Sequence, residues 1–599
     1  MTGGMAAAAP SLLDQAARGW RGYVLIALIA LASSLFGAAR LPVMDRDEAR
    51  FAQATRQMVE TGDYVRIRVQ QDERNKKPIG IHWLQAAAVH AAAPITQADN
   101  VIWPYRLPSA FGIVLAALAA LWGGTALVGR RAAFLGAALF AAGALAGFEG
   151  MTAKTDAVLC GFTTLALAAL ARLRIEDARP KLLALLFWFA IGAGVLIKGP
   201  VTPMVAGLAL GALFVWEKRA AWMRPLSWWP GPLLAVAMVL PWMIAIGAAT
   251  EGRFFAEALG EDLAPKIGGG AEGHFAWPGT HLILLPLLIF PATYVLPLAA
   301  RLGWRAAHTA RSDESMAPIR FLLACIVPAF LAFELLPTKL AHYTLPTFPA
   351  IALLGAAALE MAEREGWRVW RIAGYFMAAL AGGLLVAVLA YGATFMPGDS
   401  ASDLRRAATM GLVGGLVLLG ALAAVLLTKQ NLFKVGALCL CALLLSFGLR
   451  SRVLPEAHTL LISTEAVAAL TRARLLPRAD RPLWVVGYRE TSLVFMTDTA
   501  IRLATAEEFG AGAEIGQAGL IEAREFSAVR AALAERGLAF AASGVPVSGL
   551  NVGNGDRVTL YPGEVQTAPP PPPDFNGELA GDPPPDPEPP PRPRRRAGR

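Results

Sequence analysis

Charge is scarce in this chain. Asp, Glu, Lys and Arg together make up 17% of its 599 residues and 55% are hydrophobic, with a mean hydropathy of +0.48. That balance excludes an ordinary soluble globule. Cysteine is scarcer still: Cys160, Cys325, Cys439 and Cys441 are the only four. All lie inside long apolar runs without metal-type spacing outside them, so they read as small core residues and carry no information about redox compartment. An internal repeat, common in transporters, is also lacking.

What is abundant is apolar sequence of membrane length. A hydrocarbon core about 30 Å thick needs roughly 20 apolar residues per helix. Thirteen spans are expected, near positions 22–39, 106–128, 132–150, 156–171, 182–198, 200–216, 230–248, 281–300, 318–336, 341–360, 371–393, 407–427 and 433–450. Lys and Arg of short loops are retained in the cytoplasm. With thirteen spans Arg18, Arg21, Arg130, Arg131, Lys181, Lys218, Arg301, Arg364, Lys429 and Lys434 all fall on one side, which makes residues 1–21 a cytoplasmic amino terminus. Residues 81–95 are apolar but short and contain His82 and His90. Counting them as a span breaks the charge parity, so they are expected as a helix on, or dipping into, the outer surface. The first run follows Arg18 and Arg21 as a signal sequence does, but with so many spans behind it an uncleaved anchor is the better reading.

The expected organisation is a polytopic α-helical membrane domain over 22–454, with external loops at 40–105 and 249–280. A small α/β domain outside the membrane follows over 455–566, with a strand at 483–488 and a helix at 526–536. Residues 567–599 form a proline-rich tail ending in Arg594, Arg595 and Arg596, too poor in apolar surface to fold. The tail is expected to be solvated, or to touch anionic headgroups of membrane lipids. The net charge of +9 comes largely from the cytoplasmic loops and does not signal nucleic-acid binding.

The polar residues that remain gather at the external ends of the spans. Asp47 and Glu48 come just after the first span. Asp45 three residues before Glu48 has capping-box spacing, Thr61, Gly62 and Asp63 look like a helix stop, and Phe51, Ala54 and Met58 repeat at helical spacing. An amphipathic surface helix is expected between them. Acids in its first turn complement the helix dipole, but that alone does not account for Arg50 on the face of Asp47. A carboxylate kept ionised there suits a general base. Lys76 and Lys77, after an extended segment at 64–70, read either as lipid-phosphate contacts or as site residues.

Lys154 and Asp156 stand at the external end of the third and fourth spans, where an ionisable residue needs a cavity or a partner. Lys198, before Gly199 and Pro200, is either a snorkelling lysine or a site residue. Lys339, His342 and Tyr343 form another external mouth. The long loop at 251–280 carries Glu261, Asp262, Lys266, three consecutive glycines, Glu272, His274 and His281. Its glycines suit a lid or a bare linker.

Together, and in this order, these motifs resemble the membrane glycosyltransferases of the GT-C fold: glycosyltransferase family 39 and its relatives, including the bacterial transferases that add 4-amino-4-deoxyarabinose to lipid A and the protein O-mannosyltransferases. The resemblance covers positions 20–360 well and the remainder in outline. It is carried by Asp47, Glu48, Arg50 and Phe51, by Lys77 and Pro78, by Arg106, Leu107, Pro108 and Ser109, by Lys154, Thr155 and Asp156, by Lys198, Gly199 and Pro200, and by Lys339 with Tyr343 and Pro346. It implies inverting transfer of one sugar from a polyprenyl-phosphate donor to a lipid acceptor, lipopolysaccharide or another glycolipid, at the periplasmic face of a bacterial inner membrane.

By the same resemblance Asp47 and Asp156 are the catalytic acids, and Arg50, Lys77, Lys198 and Lys266 bind the donor phosphate. Glu48, Lys76, Lys339 and Tyr343 support the site. The aminoarabinose transferases carry a glutamate before the phosphate-binding lysine, and a histidine with a following arginine in the long loop, which help to hold a metal and the phosphate. Here Lys76 stands in the glutamate position, Asp262 stands for the histidine and Lys266 for the arginine. An extra cation repels a divalent ion, so no metal and no other cofactor is expected, with Asp262 and His274 as the weak candidates. Two alternatives stay open: a protein acceptor, as in the O-mannosyltransferases, and a lipid or polysaccharide transporter or flippase, against which stands the crowding of charge at one face. A scaffold that presents the terminal domain is weaker.

Overall fold

The computed structural model describes residues 11–175, 179–218, 221–268, 276–397, 399–478, 480–552 and 555–569, and of residues 262, 263, 266 and 267 it describes only the backbone. Glu272, His274 and most of the tail therefore lie outside the described residues. Among the described residues, nine helices are long and apolar enough to cross a membrane, or ten if the bent pair Thr280–Leu288 and Ala292–His308 is one span. Two apolar helices, Gly19–Leu35 and Val201–Glu217, are shorter. The 39-residue helix Trp103–Ala141 is broken at Gly129, whose φ of 79° ends one helix and starts the next. Counting thirteen spans requires both short helices and a division at this break.

Close backbone approach fixes one end of these helices. Gly112 packs so tightly on the helix Asp156–Ile175 that a Cβ there would stand 2.5 Å from the Ala157 carbonyl. Gly80 does the same at the start of the surface helix Gly80–Thr96, 2.7 Å from the Leu196 carbonyl oxygen. The first contact aligns Arg106 with the 152–156 turn, and the second brings the Lys77 turn beside Lys198.

The helix Asp47–Thr61 ends at Gly62 in the left-handed conformation, as the stop signal implies. The capping box does not form. Arg46 occupies the cap with φ 62° and no side-chain cap bond, and the Glu48 carboxylate instead accepts from the Met44 amide at 2.8 Å. Glu48 points away from solvent into a buried pair with Arg106, Nε to Oε1 and Nη2 to Oε2 both at 2.8 Å. Its Oε1 also accepts from the Ala153 amide at 2.8 Å. Arg106 spends its remaining donors on the carbonyls of Ala38, Leu41 and Pro42 at 2.7 to 2.9 Å. Glu48 thus supports the fold rather than lining a site.

After the last span the chain forms a six-stranded mixed sheet in the order Arg502–Ala504, Trp484–Val486, Ala518–Glu522, Arg557–Thr567 and Leu538–Ala542, with Val547–Leu550 also paired to Arg557–Thr567. The first two pairings are parallel and the rest antiparallel. Two apolar clusters, one around Leu470, Val485 and Leu520 and the other around Trp484, Phe509 and Ile521, give this region its own core.

The sheet unit does not stand apart from the membrane helices. Helix Thr491–Met496 inserts Phe495 into a cluster with Val43, Ala49, Ala52 and Tyr105. Arg56 donates to the Phe495 carbonyl at 2.9 Å, Gln53 to Thr499 at 2.8 Å, and Gln70 to the Ile501 carbonyl at 2.6 Å. The helix Asp47–Thr61, expected on the surface, is buried along most of its length. Its polar face is taken up by bonds to the sheet unit.

Breaking a buried, hydrogen-bonded ion pair by removing one partner costs about 3–5 kcal/mol. Glu48→Ala is therefore expected to lower the unfolding temperature of the purified protein steeply in a thermal melt, and Asp47→Ala, at the exposed neighbouring position, to leave it nearly unchanged.

Candidate active site

A cavity of about 1240 Å³ opens where the ends of the membrane helices meet the sheet unit. Asp47, Arg50, Lys76, Lys77, Asp156, Lys198 and Tyr343 all line it. Residues spread over nearly 300 positions are thus brought to one wall. Asp47 is half exposed, 3.8 Å from Arg50 and 4.0 Å from Arg74. Its place follows from Glu48: with that side chain locked inward, the preceding position of the helix turns about 100° away, toward the cavity.

Asp156 begins the helix Asp156–Ile175, so its carboxylate sits at the positive end of the helix dipole. It is buried and accepts from Lys198 Nζ at 2.5 Å, and Lys198 also lies 5.5 Å from the centre of the Tyr343 ring. Lys198 therefore reads as a site residue and not as a snorkelling lysine. His342 stands between two carboxylates, its Nε2 3.6 Å from Asp156 and its Nδ1 3.7 Å from Glu149. Lys154 completes the floor by donating to Glu149 at 3.0 Å. Burial alone would lower the Lys154 ammonium, but the Glu149 and Asp156 carboxylates beside it outweigh that and raise it.

Several expectations need correction or extension. Lys339 does not line the cavity. Its ammonium donates to the carbonyls of Glu334 and Leu336 at 2.6 Å each, closing the end of the helix Ala317–Leu335. Its basic charge answers the negative end of that helix. Asp262 and Lys266 fall in short helical turns, Ala258–Leu263 and Ala264–Gly268, whose side chains at these positions are outside the description. The adjoining Glu261 and Pro265 do line the cavity. The loop is tied to the Lys77 turn by Asn75 with Glu257 at 3.1 Å and Arg253 with Glu73 at 3.0 Å.

Sequence reading missed Arg74, which lies 4.8 Å over the Phe51 ring, and gave no role to Glu149 or His342. The neighbourhood of Lys76 and Lys77, and the Lys339 to Tyr343 motif, held the signal for Arg74 and His342. Glu149 lies inside an apolar run. It also missed Arg489 and Arg502 of the sheet unit, both on the cavity wall, since nothing in their local sequence links them to positions 400 residues earlier.

Among the described residues, Glu149, Asp156 and His342 are the one group whose ligand atoms lie within 4.8 Å of one another. They do not suit a divalent ion. The Lys198 and Lys154 ammoniums already occupy the carboxylates at 2.5 and 3.0 Å, and a metal would have to displace both cations.

No family model matches the sequence. The chain is 28% identical over 356 residues to the undecaprenyl phosphate-alpha-4-amino-4-deoxy-L-arabinose arabinosyl transferase of Pectobacterium carotovorum, covering 58% of this chain and 60% of that protein. The enzyme of the same name from Edwardsiella ictaluri is 24% identical over 441 residues, 72% of this chain and 77% of that one. The chain thus spans about three fifths of the first relative's length. Its structure superposes on the crystal structure of ArnT from Cupriavidus metallidurans bound to undecaprenyl phosphate with a TM-score of 0.72, at 17% identity, over 91% of this chain and 98% of that one. The fold is that of ArnT. The resemblance to the aminoarabinose transferases of the GT-C fold therefore extends from short motifs to overall sequence and to architecture, and the ArnT fold makes this a multi-pass membrane protein.

One contact beside Asp47 gives a pH dependence. Ser492 of the sheet unit donates to Asp45, and burial pushes the Asp45 carboxyl up to about 6 despite that bond. The folded protein holds this proton at pH values where the unfolded chain, with a carboxyl near about 4, has released it. Stability is lost as pH rises between those values, and the full cost, about 3 kcal/mol, is reached above pH 6. Asp45→Asn is expected to raise the melting temperature at pH 8, the gain shrinking toward zero as pH falls below 5.

Proposed function

We propose that this protein is an inverting glycosyltransferase that moves one sugar from a polyprenyl-phosphate donor to a lipid acceptor at the periplasmic face of the inner membrane. The observation that carries this reading is the meeting of Asp47, Asp156 and the cations Arg50, Lys77 and Lys198 in one cavity at the external ends of the spans. The named activity of the relatives and the undecaprenyl phosphate in the ArnT crystal structure agree with it. In this reading residues 22–454 are the catalytic membrane domain and 455–566 a periplasmic domain, with the amino terminus cytoplasmic.

The acceptor hydroxyl attacks the anomeric carbon while the bond from that carbon to the phosphate oxygen breaks, and the bonding pair leaves with the phosphate. Asp47 takes the hydroxyl proton. It is accessible, borne on a helix, and stands 3.8 Å from Arg50 and 4.0 Å from Arg74. The leaving polyprenyl phosphate gains negative charge, which Lys77, Lys198 and Arg50 meet. Single donors of this kind are worth about 10²–10³ in rate. Asp156, locked to Lys198, fixes that ammonium at the reacting end of the cavity. A lipid acceptor is preferred to a protein because the cavity lies at the membrane boundary, between span ends and the sheet unit.

The test is transfer by the purified protein from a panel of polyprenyl-phosphate sugars to glycolipid acceptors, with and without chelator. Asp47→Asn is expected to lower kcat by 10² or more without lowering the melting temperature, and chelator to leave the wild-type rate unchanged. No transfer from any donor, or a fully active Asp47→Asn, moves the reading to a transporter or scaffold.

A further inference from the structure

The cations that line the cavity stand on two different units. A sugar joined to a lipid through a phosphodiester carries a single negative charge, and the phosphate that leaves carries up to about two. Arg50, Lys77 and Lys198 on the membrane-helix wall already answer that. Yet Arg489 and Arg502 line the same space from the sheet unit.

These two arginines differ from their neighbours in the sheet unit. Arg481 pairs with Glu564 at 2.7 Å and Arg524 with Glu522 at 2.9 Å. Arg536 donates to three carbonyls at 2.8 to 2.9 Å. Neither Arg489 nor Arg502 pairs with a carboxylate among the described residues, and both are exposed. Arg502 is held in place by stacking 4.8 Å over the Trp484 ring, which keeps its donors free at the edge of the guanidinium plane. Glu490, the acid nearest in sequence, is engaged by Asn551 at 3.0 Å.

The position of this wall is not adjustable. The bonds from Gln53 and Gln70 to residues 499 and 501, and from Ser492 to Asp45, tie the segment carrying both arginines to the helix that begins at Asp47. Asp47 lines the same cavity. An acceptor entering against the sheet unit meets Asp47 with its hydroxyl while a second group lies on the arginines.

We propose that Arg489 and Arg502 form an acceptor subsite that recognises an anionic group, a phosphate or carboxylate, on the glycolipid acceptor, separate from the donor-phosphate site. This rests on the transferase reading and assigns the sheet unit the choice of acceptor. Planar guanidiniums suit bidentate contact with either anion, and the subsite acts on acceptor binding without taking part in bond making.

The test uses the full chain in nanodiscs and two synthetic disaccharide glycolipids that differ only in one phosphate monoester. Binding is measured for each, and for undecaprenyl phosphate, in wild type, in the Arg489→Ala Arg502→Ala double variant and in Arg530→Ala Arg557→Ala, a charge-matched control at exposed positions elsewhere on the sheet unit. The double variant is expected to bind the phosphorylated glycolipid at least about tenfold more weakly, with the phosphate-free glycolipid, undecaprenyl phosphate and the control unchanged. With an active donor in hand, KM for the acceptor rises and KM for the donor does not. Equal binding of the two glycolipids by wild type overturns the proposal, as does a loss of undecaprenyl phosphate binding in the double variant. Since binding needs no turnover, failure to find any transfer defeats the transferase reading while this measurement still decides the subsite.

Discussion

The buried pair between Glu48 and Arg106 is the constraint on which the cavity face of this protein depends. It closes the stretch after the first span, the start of a long membrane helix and the turn before Asp156 around one bidentate contact, with every other donor of Arg106 spent on backbone carbonyls. Such a pair repays its desolvation only when its geometry is this complete. What it fixes is direction. One acid of an adjacent pair is forced inward, so the other is forced out, and the helix that carries both is held at the angle that puts Asp47 over the cavity.

A second network works on the opposite face of the same helix. Gln53, Arg56 and Gln57 look in sequence like the solvated side of an amphipathic helix, but they are buried, and the first two bond to the sheet unit. The helix is therefore a shared beam: its apolar and ionic face belongs to the membrane helices, its amide-rich face to the last hundred or so residues. The cavity floor follows the same logic of compensation. Two carboxylates, Glu149 and Asp156, are buried with two ammoniums, Lys154 and Lys198, so the charges that face a phosphate are held by charges beneath them rather than by water.

Much of this was legible in the sequence. Membrane spans announce themselves because the bilayer tolerates little else, and ionisable residues at their ends stand out against the apolar background, as Asp47, Lys77, Asp156 and Lys198 do. What was not legible is which member of a polar cluster faces the cavity. Glu48 beside Asp47, and Lys339 beside His342, have the same local surroundings as their neighbours and differ only through distant partners: Arg106 for the one, the end of a packed helix for the other. The capping-box reading of Asp45 and Glu48 failed for the same reason, since each acid had a better partner elsewhere. The contribution of Arg489 and Arg502 was invisible because sequence pattern describes elements, and these residues matter only through the docking of one unit on another.

The shared helix also bears on how the protein is made. Chains are synthesised from the amino terminus and segments fold in that order, so the helix bearing Asp47 leaves the ribosome early and the segment that covers its amide-rich face, around residues 491–501, leaves near the end. Throughout that interval the side-chain amides of Gln53 and Gln70 lack their partners at Thr499 and Ile501, and the Arg56 guanidinium has its pairs with Glu60 and Asp99 but not the Phe495 carbonyl. The pocket between the two units does not exist until the sheet has folded and closed on the helix. The protein is thus assembled inert and becomes a complete enclosure only in its last step, on the side of the membrane where its cavity opens.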